Sequence, residues 1–267
     1  MPEISLKFSE YKLSISEEIK SPLMVCSHER SGTHYLMNSI ANGSEYVTDP
    51  FLNFDYHHIG AAINFFSPDH IAYFFRKASA IQQEGKIYCI NSLVKSHFDP
   101  QLLEKALIDG LKVAYIFRDP SEVFVSYWKL IHNFKWFEAP LTKSPLDLAR
   151  HVPAGRSQKY QLQNYSTYFE RWAMHLLSAI RMNNTFQNFK LVCYEDLLND
   201  YDNTIDNLFS LLSIVKSKEQ NRPTKDNNYV LGSDMELSET QMNELVSYCK
   251  SQIKKYPGIP EILLSKN

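Results

Sequence analysis

Short apolar runs of strand length alternate along this chain with longer stretches whose apolar residues recur every three or four positions. The runs are Pro22–Ser27, Lys86–Asn91, Lys112–Phe117 and Phe189–Tyr194, and their near-continuous apolar character fits strands buried on both faces. Helical spacing predicts helices near Gly32–Asn42, Pro68–Gln83, Pro100–Asp109, Ser121–Asn133, Tyr160–Met182, Asp202–Leu212 and Ser238–Lys255. Ser238 followed three residues later by Gln241 forms a capping-box pattern at the start of the last helix. Strands separated by helices predict an α/β fold with a central parallel sheet of about four or five strands flanked by helices. Ala139–Gly155 holds three prolines and little periodicity, which predicts a long surface loop of the kind that often binds ligands. Asn221–Asn228 is a second predicted loop.

The 267 residues suit one large α/β domain. The predicted unit is 1–267, with a core of about 20–215 and a C-terminal loop and helix at 216–267. Lys and Arg number 28 against 30 Asp and Glu, so no global positive field recommends nucleic acid or an anionic membrane, and any anion site must be local. Neither a leader-like amino terminus nor a bilayer-length apolar stretch is visible, so a soluble, cytoplasmic protein is expected. Four cysteines without a C-x-x-C pair argue against a disulfide scaffold or a zinc site. Cys26, Cys89 and Cys193 lie in apolar runs, as small buried hydrophobes do.

Three constellations carry chemistry. The first, Ser27-His28-Glu29-Arg30-Ser31-Gly32-Thr33-His34-Tyr35, follows a strand and opens a helix. Such a turn aims unpaired N–H groups and the positive helix end at one spot, which forms a phosphate cradle. Gly32 permits close backbone approach, Ser31 and Thr33 add hydroxyls, and Arg30 adds a forked cation. The Walker pattern G-x-x-x-x-G-K-[ST] and the dinucleotide pattern G-x-G-x-x-G are both absent. The second constellation runs from Tyr115 to Tyr127 and again joins a strand end to a helix. Arg118 stands at the carboxyl end of the strand, where open α/β sheets bind ligands, Asp119 or Ser121 can cap the helix, and Ser126 lies two turns on. Two such strand ends suggest a ligand with two anionic groups. The third, Lys95-Ser96-His97, follows the run at Lys86–Asn91 and supplies a histidine suited to accept a proton near neutral pH.

Together these elements resemble the sulfotransferases that use 3'-phosphoadenosine 5'-phosphosulfate (PAPS). R-S-G-T-H-Y at 30–35 is similar to that family's K-S-G-T-T-W phosphosulfate loop, Arg118 to Ser126 to its 3'-phosphate motif, and Lys95-Ser96-His97 to its K-T-H segment. Tyr165 to Trp172 and Cys193-Tyr194-Glu195-Asp196-Leu197 resemble its aromatic helix and Y-E-D strand end, and the likeness runs in family order over about 20–215. The resemblance implies a P-loop-like cradle in which Arg30, Ser31, Gly32, Thr33, His34 and Tyr35 bind the 5'-phosphosulfate of PAPS as co-substrate. It implies that Arg118 and Ser126 hold the 3'-phosphate and that Tyr35 and Tyr194 flank adenine. It implies catalysis without a metal, His97 acting as general base and Arg30 and Lys95 stabilising developing charge. The departures are Arg30 in place of lysine, His34 in place of threonine, Tyr35 in place of tryptophan, and no visible R-K-G-x-x-G segment, for which Arg222 and Lys225 are candidate substitutes.

The expected acceptor is a hydroxyl or amine on a small molecule or glycan. Aromatic residues of 51–75 and of Trp128–Phe137 are candidate pocket walls, Glu138, Asp55 and Asp69 are candidate readers of a cationic acceptor, and His57, His58 and His70 have no metal-ligand spacing. Two rivals remain at this point: a P-loop-type nucleotide-dependent kinase and a module that binds PAPS without transferring it.

Overall fold

The computed structural model describes residues 3–5, 12–55, 67–134, 139–217, 219, 221–224, 235–259 and 263. In chain order the elements are β1 (Glu3–Ser5), β2 (Lys12–Ser16), β3 (Leu23–Cys26), α1 (Thr33–Gly43), β4 (Val47–Asn53), α2 (Pro68–Ala78), β5 (Ile81–Gln83), β6 (Lys86–Ile90), β7 (Ser92–Ser96), α3 (Glu104–Ile108), β8 (Lys112–Phe117), α4 (Pro120–Phe134), α5 (Pro145–Arg150), α6 (Tyr168–Thr185), β9 (Phe189–Cys193), α7 (Tyr194–Asn199), α8 (Tyr201–Leu211) and α9 (Glu239–Ile253). Five strands in the order β4-β7-β3-β8-β9 make a parallel sheet. A smaller antiparallel sheet has the order β1-β2-β6-β5.

The parallel sheet divides the core in two by strand alternation. Leu23, Val25, Leu93, Ala114 and Ile116 face Leu36, Met37 and Ile40 of α1. Met24, Cys26, Val94, Val113 and Tyr115 turn the other way, towards Trp172, Ala173 and Leu176 of α6. Residues two apart share a face, so runs apolar at every position must be covered on both sides. Because all five strands run one way, their carboxyl ends meet along one edge, and the segments that follow β3, β4, β7, β8 and β9 emerge there together.

Several boundaries differ from the sequence reading. Lys86–Ile90 pairs antiparallel with β2 and β5, and Ser92–Ser96 takes the expected place in the parallel sheet. The chain from 86 to 96 passes between two sheets at Asn91, whose amide reaches the Glu45 carbonyl and whose N–H reaches the Ser14 carbonyl. Apolar pattern alone does not say which sheet a strand joins. Lys95 and Ser96 consequently lie inside β7, and His97 is the first residue beyond it. The helix expected from Tyr160 begins at Tyr168, capped by the Thr167 hydroxyl, and Gly155–Tyr160 is a 3-10 turn. The proline-rich loop contains α5, which Ser144 caps. The helix expected over Pro68–Gln83 ends at Ala78, and Ile81–Gln83 is a strand. The capping box of Ser238 and Gln241 forms as the spacing predicts. Cys26 and Cys89 are buried, whereas Cys193 is half-buried. Among the described residues no helix is long and apolar enough to cross a membrane.

Candidate active site

The turn between β3 and α1 holds two residues with left-handed backbone, Arg30 at φ 66° and Gly32 at φ 100°. Gly32 is needed twice over. A Cβ there would sit in a conformation that L side chains rarely adopt, and it would meet the Tyr194 ring at 2.4 Å. The first turn of α1 presents N–H groups that have no partner within the helix. Beside them the Ser31 hydroxyl is buried and has no hydrogen-bond partner among the described residues. A buried hydroxyl left open at a helix amino terminus suits an anionic oxygen.

The second constellation closes on the first. Arg30 Nε donates to Ser126 Oγ at 2.9 Å, so the turn and α4 share one wall. Arg118 lies over the Tyr194 ring, 4.6 Å from its centroid, and pairs with Glu122 at 2.9 Å. Burial, and then the positive charge of Arg118, push the Arg30 pKa down. Two guanidinium groups close enough to repel each other favour an anion beside them. Asp119 is the residue that caps α4: its carboxylate accepts the Ser121 N–H at 2.8 Å, and its own N–H reaches Glu195 at 3.0 Å. Tyr35 and Tyr194 touch edge to face with ring centroids 6.2 Å apart, so they form one shared wall instead of opposite sides of a slot.

The third constellation joins the same edge through Ser27. His97 Nδ1 donates to the Ser27 carbonyl at 2.9 Å and lies 3.2 Å from Ser27 Oγ, which in turn bonds Thr33 Oγ1 at 2.6 Å. A carbonyl only accepts, so Nδ1 carries the proton and Nε2 presents the lone pair. Burial, and then the charge of Lys95, lower the His97 pKa to about 4, which keeps the ring neutral at pH 7.

These strand ends coincide in position with a family match. A family profile described as Sulfotransferase domain matches residues 20–230. The chain belongs to that family.

Among sulfotransferase relatives, Cytosolic sulfotransferase 17 of Arabidopsis thaliana is 31% identical over 123 residues, which cover 44% of this chain and 33% of that protein. Cytosolic sulfotransferase 16 of the same plant is 30% identical over 124 residues, covering 44% and 34%. The chain therefore matches about a third of the length of these relatives. Mouse sulfotransferase SULT7A1 complexed with PAP superposes with a TM-score of 0.54 at 16% identity, over 93% of this chain and 90% of the other. Retinol dehydratase in complex with androsterone and inactive cofactor PAP superposes with a TM-score of 0.54 at 17% identity, over 90% and 81%. At such identities the superpositions establish a shared fold.

Within this sulfotransferase fold, the turn at Ser27–Tyr35, the end of β7 with Lys95 and His97, and Arg118 with Tyr194 lie along the carboxyl edge of the sheet, but some other candidate residues lie elsewhere. His34 stacks on Phe51, ring centroids 5.1 Å apart. Arg222 lies across the Tyr35 wall, its Nε donating to Tyr35 Oη at 2.8 Å and its Nη2 to the Leu198 carbonyl at 2.8 Å. Asp55 does not face outward as an acceptor reader would; its carboxylate is taken up by Lys95, Ser96 and His97. Asp69 pairs with Lys105 on the exposed surface. His57, His58, Trp136, Phe137, Glu138 and Lys225 lie outside the described residues.

A buried network behind the turn escaped the sequence reading. Arg171 of α6 donates from Nη2 to both Glu29 carboxylate oxygens at 2.7 Å, and its Nη1 donates to His28 Nε2 at 3.1 Å. Burial alone would raise the Glu29 carboxyl, but Arg171 outweighs it and holds it well below the usual carboxylate range. His28 is held neutral by burial, its pKa lowered to about 3. His175 donates or accepts between Tyr115 Oη at 2.7 Å and the His97 carbonyl at 3.1 Å; the carbonyl only accepts, so Nε2 carries the proton. One signal was present: a carboxylate inside an anion cradle demands a cation behind it, and an arginine on the apolar face of α6 answers that demand.

Proposed function

We propose that this protein transfers a sulfuryl group from PAPS to a hydroxyl or amine acceptor, on a small molecule or glycan, and acts as one unit over 1–267 in the cytoplasm. The names of the Arabidopsis relatives support both the chemistry and the location. The observation that carries the reading is the pair of links through the turn: Arg30 to Ser126, and Ser27 to His97. They join two anion sites and a neutral imidazole into one cleft edge.

The residues present fit the doubly phosphorylated nucleotide. Ser31, Gly32, Thr33 and the main chain of His34 would hold the 5'-phosphosulfate, using the open Ser31 hydroxyl and the N–H groups of the first turn of α1. Arg118 and Ser126 would hold the 3'-phosphate, with Arg30 spanning the two subsites. The Tyr35 and Tyr194 wall offers an aromatic face to adenine. His97 Nε2 accepts the acceptor's proton as that atom attacks sulfur in line. The S–O bond to the nucleotide breaks with its electron pair on the phosphate oxygen, and the 3',5'-bisphosphate PAP leaves. Arg30 and Lys95 stabilise negative charge on the bridging oxygen and the transferring group, an electrostatic contribution from positioned cations.

The test is to incubate the protein with PAPS and an acceptor panel and to follow a one-sulfuryl mass gain. Replacing His97 by Ala is expected to lower kcat by about 100- to 10,000-fold. A fully active His97→Ala enzyme contradicts the base assignment. Calorimetry comparing PAP with ATP separates this reading from a kinase: PAP is expected to bind without Mg²⁺ and ATP to bind weakly.

A further inference from the structure

Asp55, two residues past β4, is fully buried, and its carboxylate accepts from three donors of the segment that ends β7. Oδ2 pairs with Lys95 Nζ at 3.1 Å, while Oδ1 accepts the His97 N–H at 2.9 Å and the Ser96 hydroxyl at 3.3 Å. We propose that Asp55 is the positioning residue of the transfer step, setting the Lys95 ammonium and the His97 imidazole side by side. The proposal rests on the reading of Lys95 and His97 given above.

The carboxylate lies beside the end of β7, where it meets the side chains of Lys95 and Ser96 and the main-chain N–H of His97. The adjoining main chain is itself fixed. The Phe54 N–H donates to the Lys95 carbonyl at 2.8 Å, the Asp55 N–H to Asn53 Oδ1 at 3.0 Å, and Lys159 Nζ to the Asp55 carbonyl at 2.8 Å. Asp55 is therefore a rigid mount. Lysine carries its charge on a flexible four-carbon stem, and the Lys95 side chain is only 8% exposed, so its ammonium needs a counter-charge to stay in place. With that carboxylate gone, the ammonium would turn to solvent or lose its proton. The His97 contact is different in kind: it runs through the main chain and needs an acceptor oxygen, not a charge.

That difference makes the two branches separable. Asp55→Asn keeps an oxygen for the His97 N–H and removes only the charge facing Lys95, whereas Asp55→Ala removes both. Asp55→Asn is expected to lower kcat about 10- to 100-fold, as loss of a supporting partner does at other preorganised sites. Its PAP dissociation constant, read by calorimetry, is expected to stay unchanged, because Asp55 makes no hydrogen bond or ion pair to Ser31, Thr33, Arg118 or Ser126. In a Lys95→Met background the Asp55→Asn loss is expected to vanish to within about twofold, and Asp55→Ala is expected to fall below Asp55→Asn. Wild-type kcat in Asp55→Asn overturns the proposal. So does a fall in PAP affinity and thermal stability that tracks kcat, or a loss of full size in the Lys95→Met background. A crystal structure of Asp55→Asn decides the matter without turnover: Lys95 Nζ displaced over an unmoved phosphate turn supports positioning, and Lys95 in place refutes it. If the wild type bound PAP yet sulfated no acceptor, the transfer reading would fail, and that structure would still show whether Asp55 places Lys95.

Discussion

His97 shows how a single hydrogen bond fixes a tautomer. The Ser27 carbonyl fixes the proton on Nδ1 and leaves the lone pair on Nε2, the atom proposed to act as base, while burial and Lys95 lower the pKa of the ring to about 4. The neutral form therefore persists well below the ordinary histidine pKa, and under the proposed role activity is expected to be lost only as pH falls through the lowered value. In the free enzyme the acid limb of kcat/KM is expected nearer pH 4 than the usual ~6.5. Bound anionic donor favours the imidazolium, so the limb of kcat itself is expected at higher pH than that of kcat/KM. Parallel pH profiles of the two parameters check this, and a kcat/KM limb at the ordinary histidine value would count against a buried base. The motif Lys95-Ser96-His97 could be seen in the chain, but its tautomer could not, because Ser27 is 70 residues away.

The turn between β3 and α1 is held from both sides. In front, Gly32 lies against Tyr194 with no room for a Cβ. Gly32→Ala is expected to destabilise the fold by on the order of 1–3 kcal/mol through backbone strain, and to abolish PAP binding because the ring or the turn must shift. Thermal melts and PAP calorimetry read the two effects separately. Behind the turn, Glu29 and Arg171 form a buried pair whose side chains are 5% and 1% exposed. Arg171→Met strands a buried carboxylate and is expected to cost about 3–5 kcal/mol in urea unfolding, whereas the double change Glu29→Leu with Arg171→Met should recover much of it. No recovery would mean that Arg171 acts chiefly by packing. The glycine was visible as part of R-S-G-T, but the ring it touches is that of Tyr194, the first residue of α7 just past β9, and became its neighbour only through sheet order.

Burial of three neutral histidines gives the whole molecule an acid sensitivity. Burial lowers the pKa of His28 to about 3 and that of His97 to about 4, and lowers that of His175, whereas the unfolded chain binds these protons near pH ~6.5. Between those values the unfolded state holds more protons, so stability falls as pH falls from about 6.5 towards 4. Below that, protonation of Glu29, held low by Arg171, removes more. The urea midpoint is expected to be clearly lower at pH 5 than at pH 7; equal midpoints would show that these histidines are not buried neutral. The α/β class and parallel sheet followed from the alternation of buried runs and helical spacing. Sheet membership did not: the run at Lys86–Asn91 supplies the antiparallel strand Lys86–Ile90, whereas Ser92–Ser96, outside the runs read from the chain, joins the parallel sheet after Asn91.

Local rules act over a turn or a strand, and what they govern was decided by the chain itself: the strand-to-helix turn with its glycine, the capped helices, and the order of the family's motifs. Partners joined across distance were decided by the tertiary structure alone. Asp55 meets Lys95 across 40 residues and Glu29 meets Arg171 across 142, and no periodicity reaches so far. Parallel strands bring distant carboxyl ends to one edge, and there the low dielectric of the interior compels each buried charge to find its opposite.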